Sequence, residues 1–156
     1  MLAIHIPPDE NLRLEHLCLD LNGTLTCNGK LIPGVAERLE ILKDKLDIHV
    51  ITADTYGNAA AILEGLPVSV NVIAENRQGE TKRDIVRGLG ASVTAGIGNG
   101  YNDRFMLATC ALSIAVIEGE GCSKNAVEAA RITTRSINDA LDMLIYPKRV
   151  TATLRD

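Results

Sequence analysis

Four short polar clusters in this chain each close or follow an apolar run. The first is Asp20-Leu21-Asn22-Gly23-Thr24-Leu25-Thr26 after Leu17-Cys18-Leu19, and the second is Thr52-Ala53-Asp54 after His49-Val50-Ile51. The third is Lys82, and the fourth is Gly98-Asn99-Gly100-Tyr101-Asn102-Asp103 after the run from Val93 to Ile97. A carboxylate at the end of a buried strand is costly unless it is paired with a cation or used. Asp20 is therefore the candidate nucleophile, since carboxylates form aspartyl-phosphate intermediates. Backbone N–H groups around Gly23 can cradle phosphoryl oxygens, and a glycine allows the close approach. Thr52 adds a hydroxyl donor to the same oxygens. Lys82, read as one or two residues into a helix that starts near Glu80, opposes the helix dipole by about 0.3–1 kcal/mol unless an anion sits there too. A phosphoryl group would supply that anion. Mg2+ prefers oxygen ligands, and Asp20, the Asn22 carbonyl, Asn99 and Asp103 form the available set.

The elements that must position these residues show in the hydrophobic pattern. Short continuous apolar runs at Leu17–Leu21, Ile48–Ile51, Val68–Ile73, Val93–Ile97 and Leu112–Ile117 have the length of strands buried on both faces. Between them, Val35, Leu39, Leu42 and Leu46 recur at helical spacing within Gly34–Leu46. Shorter helices fit Gly57–Glu64, Glu80–Leu89, Asn102–Ala108 and Ser123–Ala130, and a last one runs from Ser136 to Ile145 with Asp139 three residues after its cap. Strand and helix alternating in this way predict an α/β fold, a mainly parallel sheet with helices on both faces. Ligands of such sheets gather beyond the carboxyl ends of the strands, where the polar clusters lie.

Two hairpins complete the expectation. Leu2–Ile6 and Asn11–Leu14 flank Pro7-Pro8-Asp9-Glu10 and read as an antiparallel edge hairpin, residues 1–15, added to the sheet. Asn28-Gly29 turns a second hairpin over 25–32, a flap just after the first core strand. The remaining segment, 136–156, is the C-terminal helix and a tail.

At 156 residues the chain has the length of one domain, 1–156. Lys+Arg 16 against Asp+Glu 20 leaves a net charge of −4, and no basic run exceeds pairs such as Lys148-Arg149, which speaks against nucleic acid. The mostly apolar stretch from Met106 to Ile117 is short of the roughly 20 residues that span a bilayer. The opening MLAIHIPP has no basic n-region, so the expectation is a cytoplasmic protein. Cys18, Cys27, Cys110 and Cys122 form no C-x-x-C pair and read as free thiols. His5, His16 and His49 lack metal-ligand spacing.

The order and content of the four clusters resemble the haloacid dehalogenase superfamily of phosphoryl-transfer enzymes, and within it the phosphorylation domain of P-type ATPases. DLNGTLT at 20–26 is similar to the ATPase loop DKTGTLT, Thr52-Ala53-Asp54 to TGD, and GNGYND at 98–103 to GDGxND. Ser113-Ile114-Ala115-Val116 and Ala126–Ala130 continue the likeness. It implies a three-layer Rossmann-like fold with Asp20, Asn22, Thr52 and Lys82 in the catalytic positions. It also implies phosphate binding at Gly23, Thr24 and Ala53, and Mg2+ at Asp20, Asn22, Asn99 and Asp103. From Asp20 to Thr52 is 32 positions and from Thr52 to Lys82 is 30, too few to hold a cap domain beside one crossover each. The site is expected to be open to a phosphorylated small molecule or macromolecule, or covered by a second copy of the chain.

Other readings compete. An Asp after a strand is often a cap or turn residue, and Asp54 fits that description as the cap of a helix at Gly57. Gly96-Ile97-Gly98 lacks the third glycine of a dinucleotide loop, where Tyr101 stands. Two departures from the family weaken the enzyme reading. Asn22 replaces the Asp that serves phosphatases as acid and base, worth about 10²- to 10⁴-fold in rate. Asn99 replaces a charged Mg2+ ligand. A slow Mg2+-dependent phosphatase, a phosphate-binding regulatory module and a pump accessory protein are the functions these residues allow.

Overall fold

The computed structural model describes residues 1–156. Strands β1 (Leu2–Ile6) and β2 (Glu10–Leu14) lead into β3 (His16–Asp20), then β4 (Thr26–Cys27), β5 (Lys30–Leu31), helix α1 (Val35–Leu42) and β6 (Asp47–Thr52). Helix α2 (Ala59–Ile62), β7 (Ser69–Val72), α3 (Gln78–Leu89), β8 (Thr94–Gly98), α4 (Arg104–Thr109) and β9 (Leu112–Val116) follow. The chain closes with α5 (Lys124–Ala129), β10 (Ile132–Thr134), α6 (Ile137–Ile145) and α7 (Lys148–Leu154).

Six strands form one sheet in the order β10-β9-β8-β3-β6-β7, with every pairing parallel. The inner strands are apolar without alternation because both of their faces are covered: β8 and β9 are buried at every position, and β3 at all but His16. Successive side chains still point to opposite faces. Leu17 and Leu19 of β3 join the larger core, with Val35, Leu39 and Leu42 of α1 and Leu141 and Leu144 of α6. Cys18 between them joins a second core, with Val86 of α3, Met106 and Leu107 of α4, and Ala126 of α5. Arg38 of α1 grips Asp142 of α6 through two hydrogen bonds of 2.8 and 3.2 Å, and Ser136 Oγ caps α6 by accepting from Asp139 N at 3.0 Å.

The α/β architecture, the parallel sheet and the helices on both faces are as the pattern predicts. Five details differ. The run Val68–Ile73, expected to be buried on both faces, forms the edge strand β7, which leaves Val70 39% and Val72 64% exposed. The hairpin over 1–15 does not extend the sheet: β1 and β2 pair only with each other, and Leu2, Ile4, Ile6, Leu12 and Leu14 turn their own apolar face onto the large core. Strand β10 has no counterpart in the hydrophobic pattern, because three residues, Ile132-Thr133-Thr134, are too short to carry one. The expected tail is helix α7, whose Thr151 hydroxyl donates to His5 O at 2.7 Å and docks it on β1. Lys82 is the fifth residue of α3, which starts at Gln78 rather than near Glu80.

Register sets up the site. Asp20 lies opposite Ile51 and Leu19 opposite Ile97, so the carboxyl ends of β3, β6 and β8 sit side by side. Between β3 and β6 the chain places only the β4–β5 flap and α1, and between β6 and β7 only α2, so no inserted domain roofs these ends. Asn28 and Gly29, at φ 51° and 74°, make the left-handed turn that a two-residue hairpin loop requires.

Candidate active site

Asp20 is the last residue of β3 and 6% exposed, with both carboxylate oxygens engaged. Lys82 Nζ donates to Oδ1 at 2.6 Å, and the Thr24 hydroxyl lies 3.1 Å from Oδ2. The same ammonium donates to Asp103 Oδ1 at 2.6 Å. Asp103 Oδ2 in turn accepts from the backbone amides of Asn99 at 3.0 Å and Gly100 at 2.8 Å. Lys82 and Asp103 are wholly buried. Two carboxylates thus flank one ammonium, and no other charge is close enough to balance the excess. Burial first, then the charge of Asp103, raise the Asp20 carboxyl to about 6, against the pull of Lys82 and Thr24. Burial alone would lower the Lys82 ammonium, but Asp20 and Asp103 outweigh it and hold Lys82 firmly protonated.

Gly23 makes the loop after β3 possible. Its φ of 81° is left-handed, and a Cβ there would come within 2.4 Å of Asn99 Nδ2. Asn99 Nδ2 donates to Gly121 O at 3.1 Å, which turns its Oδ1 inward, 3.2 Å from the Thr24 hydroxyl. Asp20, Asn22, Thr52, Ala53, Thr55, Gln78, Asn99, Gly100 and Asn102 line a cleft of about 220 Å³ over the strand ends. Thr52 Oγ1 accepts from Asp54 N at 3.0 Å. Asp54 itself caps α2, its Oδ1 accepting from Asn58 N at 3.0 Å and Ala59 N at 2.9 Å.

No family model matches the chain. It is 51% identical over 39 residues to the uncharacterized protein MJ0072 of Methanocaldococcus jannaschii, covering 89% of that protein and 25% of its own length. It belongs to the same family as that protein. A second protein of the same organism, MJ0073, is 43% identical over 60 residues, and the chain spans 64% of its length while the match takes in 38% of this chain. Among solved structures, a HAD family hydrolase from Streptomyces avermitilis superposes with a TM-score of 0.70 at 18% identity, covering 87% of each chain. The chain has the haloacid dehalogenase fold. The cobalt-bound deoxy-D-mannose-octulosonate 8-phosphate phosphatase of Haemophilus influenzae superposes with a TM-score of 0.72 at 15% identity, over 92% of this chain and 94% of that one. The corresponding phosphatase of Moraxella catarrhalis, in complex with magnesium, phosphate and KDO, gives 0.71 at 14% identity, over 89% and 90%.

On this haloacid dehalogenase fold, the structure brings Asp20, Asn22, Thr52, Ala53 and Asn99 to one cleft. Gly23 and Thr24 lie directly behind it. Lys82 reaches it only through Asp20, and Asp103 stands behind the wall that Asn99, Gly100 and Asn102 form, joined to Lys82 and to the loop amides. The cleft's donors suit a hard divalent ion, being all oxygen: the Asp20 carboxylate, Asn99 Oδ1 and Asn22, whose Oδ1 is buried without a hydrogen-bond partner. Only Asp20 among them is charged, and nowhere does the chain gather three or more His, Cys, Asp or Glu side chains into a metal-binding cluster.

Thr55, Gln78 and Asn102 line the cleft as well, beyond the candidate site residues. Asn102 was legible as the last Asn of GNGYND. Gln78 was not: it enters because α3 begins two residues earlier than its pattern suggests, and Asn102 Nδ2 donates to its Oε1 at 2.7 Å.

Proposed function

We propose that this protein is a phosphohydrolase that transfers a phosphoryl group to Asp20 and then to water. The observation that carries this reading is the setting of Asp20: a strand-end carboxylate with Oδ1 fixed by Lys82, at the wall of a polar cleft, with no domain inserted between β3 and β7. An oxygen of Asp20 attacks phosphorus, the bond to the leaving group breaks, and water later cleaves the aspartyl phosphate to regenerate the carboxylate. Lys82 keeps Asp20 oriented, and the Thr52 hydroxyl would donate to phosphoryl oxygens, whereas the amides of Gly23 and Thr24, expected to cradle them, are taken up by Thr26 O at 3.0 Å and Leu21 O at 3.2 Å. Mg2+, bound by Asp20, Asn22 and Asn99, would neutralise the charge on the transferring group. No helix of the chain is long and apolar enough to cross a membrane.

Asn22 narrows the substrate class. Asp20 is the one titratable group among the residues lining the cleft, and the side chain at the acid–base position is an amide. A leaving group must therefore depart without being protonated, which favours acyl phosphates, phosphoanhydrides and aryl phosphates over alkyl esters. The two amides Asn22 and Asn99 also favour a second reading, a module that binds a phosphorylated ligand and does not turn it over.

Mass spectrometry after incubation with acetyl phosphate and Mg2+ separates the two. The enzyme reading expects label on Asp20 and none in Asp20→Asn. An unlabelled wild-type chain that nonetheless binds inorganic phosphate would establish the binding module instead.

A further inference from the structure

Beyond the bonded pair Gln78 and Asn102, the cleft adjoins a second cavity of about 260 Å³, lined by Glu75, Arg77, Gln78, Gly79, Glu80, Tyr101, Asn102 and Arg104. The two spaces share Gln78 and Asn102 as a common wall. Arg104 dominates this cavity. Its guanidinium stacks on the rings of Tyr101 at 3.7 Å and Phe105 at 3.9 Å, and Nη1 donates to Tyr101 O at 2.8 Å. Gly79 permits this packing, since a Cβ there would lie 3.2 Å from Phe105 Cδ2 and 3.4 Å from Arg104 Nη1.

Apart from these two cation–π contacts, the fold gives that cation no ion pair. No carboxylate approaches Arg104 within ion-pair distance, as with Arg13, Arg135 and Arg155, although Glu75 and Glu80 line the same cavity; Arg38, Arg77, Arg83, Arg87, Arg131 and Arg149 each have an acidic partner. It is also the first residue of α4, the end of a helix that disfavours positive charge. Stacking leaves the edge of a guanidinium free to donate in its plane, and four of its five N–H groups have no protein acceptor here. Arg77 stands on the same cavity, 76% exposed, held at φ 55° ahead of α3 and only loosely paired with Glu80 at 3.8 Å. A rigid, unpaired, fork-shaped donor beside a phosphate cleft is suited to a planar or tetrahedral anion.

We propose that this cavity is a second anion subsite, so that the phosphorylated ligand carries a further carboxylate or phosphate, bound by Arg104 with Arg77 beside it. The proposal rests on the reading of the Asp20 cleft as a phosphate site, and it makes Arg104 a specificity-determining residue for the leaving group.

Calorimetry with three probes tests it: orthophosphate, pyrophosphate and phosphoglycolate. A bidentate charged contact makes one or both two-anion probes bind about tenfold or more tighter than orthophosphate. Which of the two is preferred tells a phosphate from a carboxylate subsite. Arg104→Gln should bring the ratio of affinities within one protein down to about one, and Arg104→Lys, which keeps charge but not the fork, should fall between. Because each ratio is internal to one protein, a general loss of fold lowers both affinities and does not imitate the effect. A wild-type ratio near one, or a ratio that survives Arg104→Gln and Arg77→Gln, overturns the subsite. A ratio that behaves as expected in a protein that never labels at Asp20 would retain the subsite and remove the phosphohydrolase.

Discussion

Lys82 Nζ stands 2.6 Å from Oδ1 of Asp20 and 2.6 Å from Oδ1 of Asp103, with all three side chains withdrawn from solvent. One ammonium thus joins the end of β3 to the turn after β8 across a 62-residue separation in sequence to Asp20 and a 21-residue one to Asp103. Removing it strands two buried carboxylates. Lys82→Met should cost about 3–5 kcal/mol, read from urea unfolding, because breaking a buried pair leaves charge uncompensated. Adding Asp103→Asn should restore a good part of that loss. A double variant as unstable as the single one would show that Lys82 acts through its apolar stem and not its charge.

The same arrangement gives Asp20 an unusual titration. Its carboxyl is raised from 3.8 to about 6, first by burial and then by Asp103. Because the folded state holds this proton more tightly than the unfolded chain, the contribution to stability is complete below the unfolded value of 3.8 and is lost as pH rises through about 6. Carbon-13 NMR of the Asp20 carboxyl in metal-free protein should show a midpoint near 6. Asp20→Asn should flatten the stability profile over that interval. A midpoint at the ordinary value would mean that Lys82 prevails over burial and Asp103.

Asn99 offers a third measurement. Its amide is fixed from both ends, Nδ2 on Gly121 O at 3.1 Å and Oδ1 3.2 Å from the Thr24 hydroxyl. Asn99→Asp removes the donor to Gly121 and brings a third carboxylate beside Asp20 and Asp103. The metal-free variant should melt below wild type, and saturating Mg2+ should raise its melting temperature more than it raises that of wild type. Equal Mg2+ shifts in the two proteins would show that residue 99 does not face the ion.

The fold was legible where the pattern was long. Continuous apolar runs marked β3, β6, β8 and β9 because both faces of those strands are covered, and their polar ends marked Asp20, Thr52 and Asn99. Short or tertiary-determined pieces were not legible. Strand β10 has three residues, and α7 is docked by the Thr151 hydroxyl on His5 O, a contact that no local pattern announces. The motif resemblance makes Asp103 a metal ligand, yet its carboxylate is taken up by Lys82 and two loop amides, and Asn102 is the one on the cleft wall. The opposition to a helix dipole marks Lys82 in the sequence, but at the fifth residue of α3 its burial between two carboxylates explains it better.

Asn22 supports the most discriminating prediction. Its Oδ1 is buried without a partner at the wall of the cleft, and an amide there neither gives nor takes a proton at neutral pH. With an activated donor such as acetyl phosphate, formation of the phosphoenzyme should outrun its breakdown, since only breakdown needs a deprotonated water, and the intermediate should accumulate. Asn22→Asp is nearly isosteric and supplies the missing proton carrier. It should speed hydrolysis of alkyl phosphates by about 10²- to 10⁴-fold while changing aryl phosphates far less, because a good leaving group needs no protonation. Tighter binding alone would raise both classes together. Steady-state rates on one alkyl and one aryl ester in the two proteins decide the matter, and an equal rise for both, or none, would show that residue 22 is not what limits turnover.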